Sequence, residues 1–158
     1  MRLQDLLIKE NNDSTDAFFA AVRKVPADKL DWKPGEDSRS ALGIAREVAL
    51  SPTWPDGLMT PGAKLEMTPE MMEEFGKRAE ALTTLDDCES TARAGVAALN
   101  EKIAGIPDDH LFQTAHLPFG KNPDWPIYDV AGIHAWNARY HTGQVNYIQT
   151  LYGDKSME

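Results

Sequence analysis

Asn137 and His141 stand four residues apart in the run Ile133 to Leu151, which contains no proline and reads as one long helix. That spacing puts both side chains on one helical face, a turn apart. An amide and an imidazole offered from consecutive turns could supply half of a metal site. Gln144 follows His141 by three residues on the same stripe. Its amide could orient a ligand or the imidazole ring, or make an interhelical hydrogen bond. His134 precedes His141 by seven residues. Seven residues rise about 10.5 Å along a helix, too far for two rings to share one ion through bonds of about 2.0–2.1 Å. His134 with Asn137 is the better-spaced pair. Trp54, Trp136 and Tyr140 could wall a pocket, or serve as core or interface aromatics. Asn137 and His141 also admit a purely structural reading, as buried polar groups that hydrogen-bond to one another or to a carboxylate.

The elements that must position these residues are helical. Leu3 to about Val25 has neither Pro nor Gly, and Leu3, Leu7, Ser14, Phe18, Ala21 and Val25 form a stripe at helical spacing. Pro26 ends it, and Ala27 to Glu36 reads as a loop. Ser38 or Ser40 can cap a second helix, with Ala41, Ile44, Ala45 and Val48 on its apolar face and Pro52 as its stop. Thr68-Pro69-Glu70 is a helix start: a capping hydroxyl, proline at the first helical position and acid in the first turn. The spacing predicts a helix from there to about Leu82, with Met71, Met72, Phe75 and Ala79 inward and the acids of Glu70 to Glu80 solvated. Asp86 or Asp87 can cap a further helix to about Ile106, with Thr91, Ala94 or Gly95, Ala98, Leu99 and Ile103 as its stripe. Asp108 to Trp125 reads as a long loop, and Phe112 to Leu117 is too short and irregular to build a sheet. The last helix is expected to begin near Pro126 or Tyr128 and to stop at Gly153. Gly43, Gly76, Gly95, Gly132 and Gly143 fall inside helices and read as sites of close helix approach. The expected architecture is an all-α four-helix bundle with one additional short helix and long crossover loops, a single domain over residues 1–158.

Composition excludes several functions. The 158 residues carry a formal net charge of −9, without the clustered Lys and Arg that nucleic-acid phosphates require. No apolar run approaches the ~20 residues of a membrane span, and charge interrupts the first ten residues where a signal peptide needs an apolar core. A cytoplasmic protein is expected, with partners that are neither nucleic acid nor membrane. Cys88 is the only cysteine and lies among Asp86, Asp87 and Glu89, where negative charge disfavours the thiolate. Neither Ser-His-Asp nor Cys-His stands out as a nucleophilic arrangement, no Gly-rich loop is placed to cradle a phosphate, and His110 and His116 lack ligand spacing.

Three stretches carry a resemblance. Val25-Pro26 with Leu30-Asp31-Trp32 and Pro34 is similar to the first-helix exit of the DinB-like four-helix-bundle family. Ser38-Arg39-Ser40 through Glu47 to Trp54 resembles its second helix. Tyr140-His141-Thr142-Gly143-Gln144 through Gly153-Asp154 resembles its closing motif. They occur in order over most of the chain. The resemblance implies a divalent-metal site built from one residue on the second helix and two on the last, all histidines in the usual pattern. Here those positions are Glu47, Asn137 and His141, of which His141 alone matches. The resemblance admits Ni, Zn, Mn or Fe as the metal. A Glu/Asn/His set is harder than three imidazoles and favours Mn or Fe over Zn. It also implies a homodimer and a metal-dependent transferase or hydrolase acting on a small molecule, with a low-molecular-weight thiol as a further candidate substrate. Two departures from the triad leave a second reading open: a non-catalytic bundle with no functional metal, whose polar cluster is structural or binds a small ligand.

Overall fold

The computed structural model describes residues 1–154; the last four residues of the single-domain reading, 155–158, lie outside the described residues. Helix α1 spans Leu3–Val22, α2 Ala41–Leu50, α3 Pro69–Ala81, α4 Leu85–Ala104, α5 Ile127–Ala131 and α6 Ile133–Leu151. Four of them form the bundle. α1 packs on α6 and α4, and α2 packs on α4 and α6, so α1 and α2 occupy opposite corners. The connection between them, which contains a short 3-10 turn at Ala27–Lys29, therefore crosses the end of the bundle. Among the bundle helices, α3 packs mainly on α2.

The start signals act as their chemistry predicts. Ser40 Oγ accepts the N–H of Gly43 and Thr68 Oγ1 accepts that of Met71, each satisfying an amide that has no intrahelical partner. Gly153 takes φ 94°, the left-handed geometry that ends α6, while the Asp154 N–H returns to Gln149 O. The cap of α4 differs from the expectation. Thr84, rather than Asp86 or Asp87, is the cap, and Asp87 is its reciprocal partner in a capping box. Thr84→Ala is expected to cost about 1 kcal/mol, from loss of that cap, read as a lower urea midpoint with an unchanged slope.

The core lies between α1, α2, α4 and α6 and centres on Phe18, Phe19, Val22, Ile44, Val48, Ala92, Ala138 and Val145. Phe18 and Phe19 meet edge to face, their centroids 5.1 Å apart. Cys88 is fully buried in this cluster, and burial pushes its thiol up to about 11. It fills space and is protonated at neutral pH.

Several expectations are corrected. The buried stripe of α4 is Cys88, Ala92, Val96, Leu99 and Ile103; Ala94 and Ala98 face solvent. Small residues on both sides of this helix left its register undetermined until a partner surface chose it. No residue of α3 is buried, and Met71 and Met72 are exposed rather than inward. Within the long loop, Thr114–His116 and Asp124–Pro126 pair as antiparallel strands β1 and β2, the pairing that the sequence reading denied. The final helical segment is broken at Gly132 into α5 and α6. Of the helical glycines, Gly95 is a close approach, since a Cβ there would sit 3.1 Å from Pro52 Cβ, whereas Gly76 and Gly143 face open space.

Candidate functional site

α2 and α6 lie side by side and bring Glu47, Asn137 and His141 together. His141 Nε2 lies 3.0 Å from Glu47 Oε1, and Asn137 Nδ2 donates to the same oxygen at 3.3 Å. His141 is buried and Glu47 is partly so. Gln144, one turn along α6, presents Oε1 2.7 Å from His141 Nδ1. The Arg39 guanidinium, just before the α2 cap, donates to Glu47 Oε2. The hydrogen bond from His141 holds the Glu47 carboxyl below the usual carboxylate range, against burial, which pushes it up; the charges of His141 and Arg39 and the Asn137 amide add to the lowering.

The ring of His141 thus faces an acceptor on each side. A neutral imidazole has one N–H and can satisfy only one of them. Three arrangements satisfy both sides: a ring carrying both protons, a neutral ring with Nε2–H to Glu47 and the Gln144 amide turned to donate to Nδ1, or Nδ1–H to Gln144 with Nε2 left to a cation. The donor set fits a divalent ion. Ligands bound at about 2.0–2.2 Å and at right angles to each other lie about 3 Å apart, as His141 Nε2 and Glu47 Oε1 do. Asn137 Oδ1 is buried with no hydrogen-bond partner while its Nδ2 faces Glu47, and a turn of the amide would set the oxygen beside Glu47 Oε1 to receive a cation. A carboxylate oxygen, an amide oxygen and one imidazole form a hard set suited to Mn or Fe. Among the described residues no three His, Cys, Asp or Glu side chains cluster, so the Asn137 amide would have to complete any such site.

The remaining predicted residues are placed as follows. Trp136 and Tyr140 are largely exposed and stack on each other, 5.5 Å apart and nearly parallel. With Gln144, they line an open groove of about 790 Å³ that also contains Glu47, Asn137 and His141. Trp54 lies elsewhere, packed against Phe75 at 5.4 Å in the wall of a second, more apolar chamber of about 740 Å³. Glu47, Asn137, Arg39 and Trp136 border both cavities, so the polar cluster sits at their junction. His134 is apart from both. It is fully buried, with Nε2 2.8 Å from Thr15 Oγ1 and Nδ1 2.6 Å from Ser51 Oγ, so neither nitrogen is free for an ion. Of the loop histidines, His116 pairs with Asp124 at 3.1 Å, away from the cluster.

Arg39 and the chamber residues Phe75, Trp125, Tyr128 and Asp129 are absent from the sequence-based site. Arg39 carried a weak signal: it immediately precedes the Ser40 cap of the helix that carries Glu47. The others come from α3, β2 and α5, and no local spacing connects them.

Fold and cluster together define a helical bundle with a His–Glu–Asn group at the meeting of two cavities. The bundle is similar to that of YfiT from Bacillus subtilis, described as a probable metal-dependent hydrolase with an unusual four-helix bundle topology: TM-score 0.74 at 11% identity, over 95% of this chain and 87% of that one. An uncharacterised protein from Clostridium difficile 630 matches with TM-score 0.70 at 14% identity, over 94% of this chain and 96% of that one. No family model matches the chain, and no curated protein matches it significantly. No helix among the described residues is long and apolar enough to cross a membrane.

Proposed function

We propose that the chain is a divalent-metal-dependent enzyme of the hydrolase type, acting on a small molecule, with Glu47, Asn137 and His141 as the metal-holding residues. The observation that carries the reading is the paired geometry of His141, with Nδ1 held by Gln144 and Nε2 facing the Glu47 carboxylate at a cavity junction. When bound, a divalent ion supplies Lewis acidity and lowers the pKa of a coordinated water or thiol. The hard donor set favours water over a soft thiolate as the activated group, which ranks hydrolysis above thiol transfer. With its Oε1 toward the ring, Gln144 accepts from Nδ1–H, the tautomer that would direct the Nε2 lone pair inward. Arg39 holds Glu47 from the other oxygen and so fixes the carboxylate's orientation. The stacked Trp136 and Tyr140 give the groove a flat apolar wall. The description of YfiT as a probable metal-dependent hydrolase agrees with this reading.

The test is metal content by elemental mass spectrometry on protein purified without chelator, before and after soaking in manganese, nickel and zinc. Near-stoichiometric metal in the parent, lost in His141→Ala, is the expected result. Failure to load with any ion would sink the reading and leave a non-catalytic bundle whose polar cluster shapes the core.

A further inference from the structure

Apart from Glu47 and Asn137 at its junction with the groove, the lining of the apolar chamber lies away from the metal-holding residues, and its chemistry is specific. Its wall is aromatic: Trp54, Phe75, Trp125, Tyr128 and Trp136 all line it, brought there by the segment after α2 and by α3, β2, α5 and α6. Three charged side chains reach it: Arg39, Glu47 and Asp129. The first two are joined in an ion pair and offset each other. Asp129 makes no side-chain hydrogen bond or ion pair among the described residues. The net unbalanced charge facing the chamber is therefore one carboxylate, within a chain that is itself acidic. Asp129 is exposed at the chamber's edge, and the partial burial of its carboxyl raises it above the ordinary aspartate range with no positive partner to offset the shift. Aromatic faces attract cations through the ring quadrupole, most strongly where water is excluded.

We propose that this chamber binds a small organic cation with a hydrophobic body, an amine whose apolar part lies against the Trp and Phe rings and whose charged nitrogen meets Asp129. An anion is disfavoured, because the guanidinium of Arg39 is already engaged by Glu47 and the free charge has the wrong sign. The inference goes beyond the metal reading and does not depend on it, so its test uses chelator-treated protein.

Three of the four tryptophans line the chamber, so intrinsic fluorescence reports on its occupancy. The probes are octylamine, octanol and octanoate, identical tails with cationic, neutral and anionic heads, titrated below their micellar range near neutral pH. The expected result is saturable quenching, with octylamine about threefold tighter than octanol, as one solvent-exposed charge contact would give. Asp129→Asn should bring octylamine to the octanol value while leaving octanol binding as in the parent. Phe75→Ala, at a half-buried position on α3, should weaken all probes that bind. Octanoate binding tightest, equal affinity for all three heads, an octylamine preference that survives Asp129→Asn, or no saturable quenching would each overturn the proposal.

Discussion

Between about pH 6.5 and pH 4 the folded chain is expected to lose about 3 kcal/mol of stability through His134. Burial pushes this imidazole down to about 4, whereas in the unfolded chain it titrates near 6.5. Below 6.5 the unfolded state takes up a proton that the folded state refuses. Stability therefore falls as the pH drops through that window and levels off below the folded value. The cause is burial: a charged ring would sit in a site stripped of water. Thr15 Oγ1 donates to Asn11 O at 2.6 Å and can accept from His134 Nε2–H, while Ser51 Oγ lies within reach of both Val48 O, at 2.9 Å, and Nδ1, and its one proton can serve either. Urea unfolding across the window checks this. His134→Gln, which can hydrogen-bond but not titrate, should flatten the decline between pH 6.5 and 5, above the range of most carboxylates. An equal slope in parent and variant would assign the decline elsewhere.

Gln144→Leu is expected to weaken metal binding by about 10–100-fold, the usual cost of removing the partner that orients a histidine ligand. The substitution is nearly isosteric, touches neither Glu47 nor Asn137, and removes the acceptor that holds His141 Nδ1–H. Gln144→Glu retains an acceptor and should hold affinity at or above the parent's. Calorimetric titration with manganese reads both variants. If the leucine variant bound the ion as tightly as the parent, Gln144 would be a packing contact and the orientation argument for His141 would fall.

How much of this was readable in the chain depended on how local the physics was. The caps at Ser40 and Thr68 and the stop at Gly153 were legible because each is settled within four residues. The meeting of Glu47 with His141 across 94 positions was reached through the family resemblance; spacing supplied only the α6 half. Local pattern failed where a distant surface made the choice. Ala92 and Ala94 are chemically equal, and only α1 and α2 select which is buried. The strand pairing of Ala115 with Trp125 joins two three-residue segments, each too short to show alternation. His134 stayed open as a residue near the site, paired by spacing with Asn137, because its two hydroxyl partners come from α1 and from the end of α2.

The solvated character of α3 has a consequence for how this fold can change. The bundle places its core between α1, α2, α4 and α6, while α3 contributes Met72 and Phe75 to one chamber and buries no residue. Substitutions at exposed positions cost little, typically within about 0.5 kcal/mol. Ligand preference and foldedness are thus written on separate parts of the chain. Residues 69–81 form an exchangeable panel, and variation there can reshape what the chamber admits while the helices carrying Glu47, Asn137 and His141 keep their register.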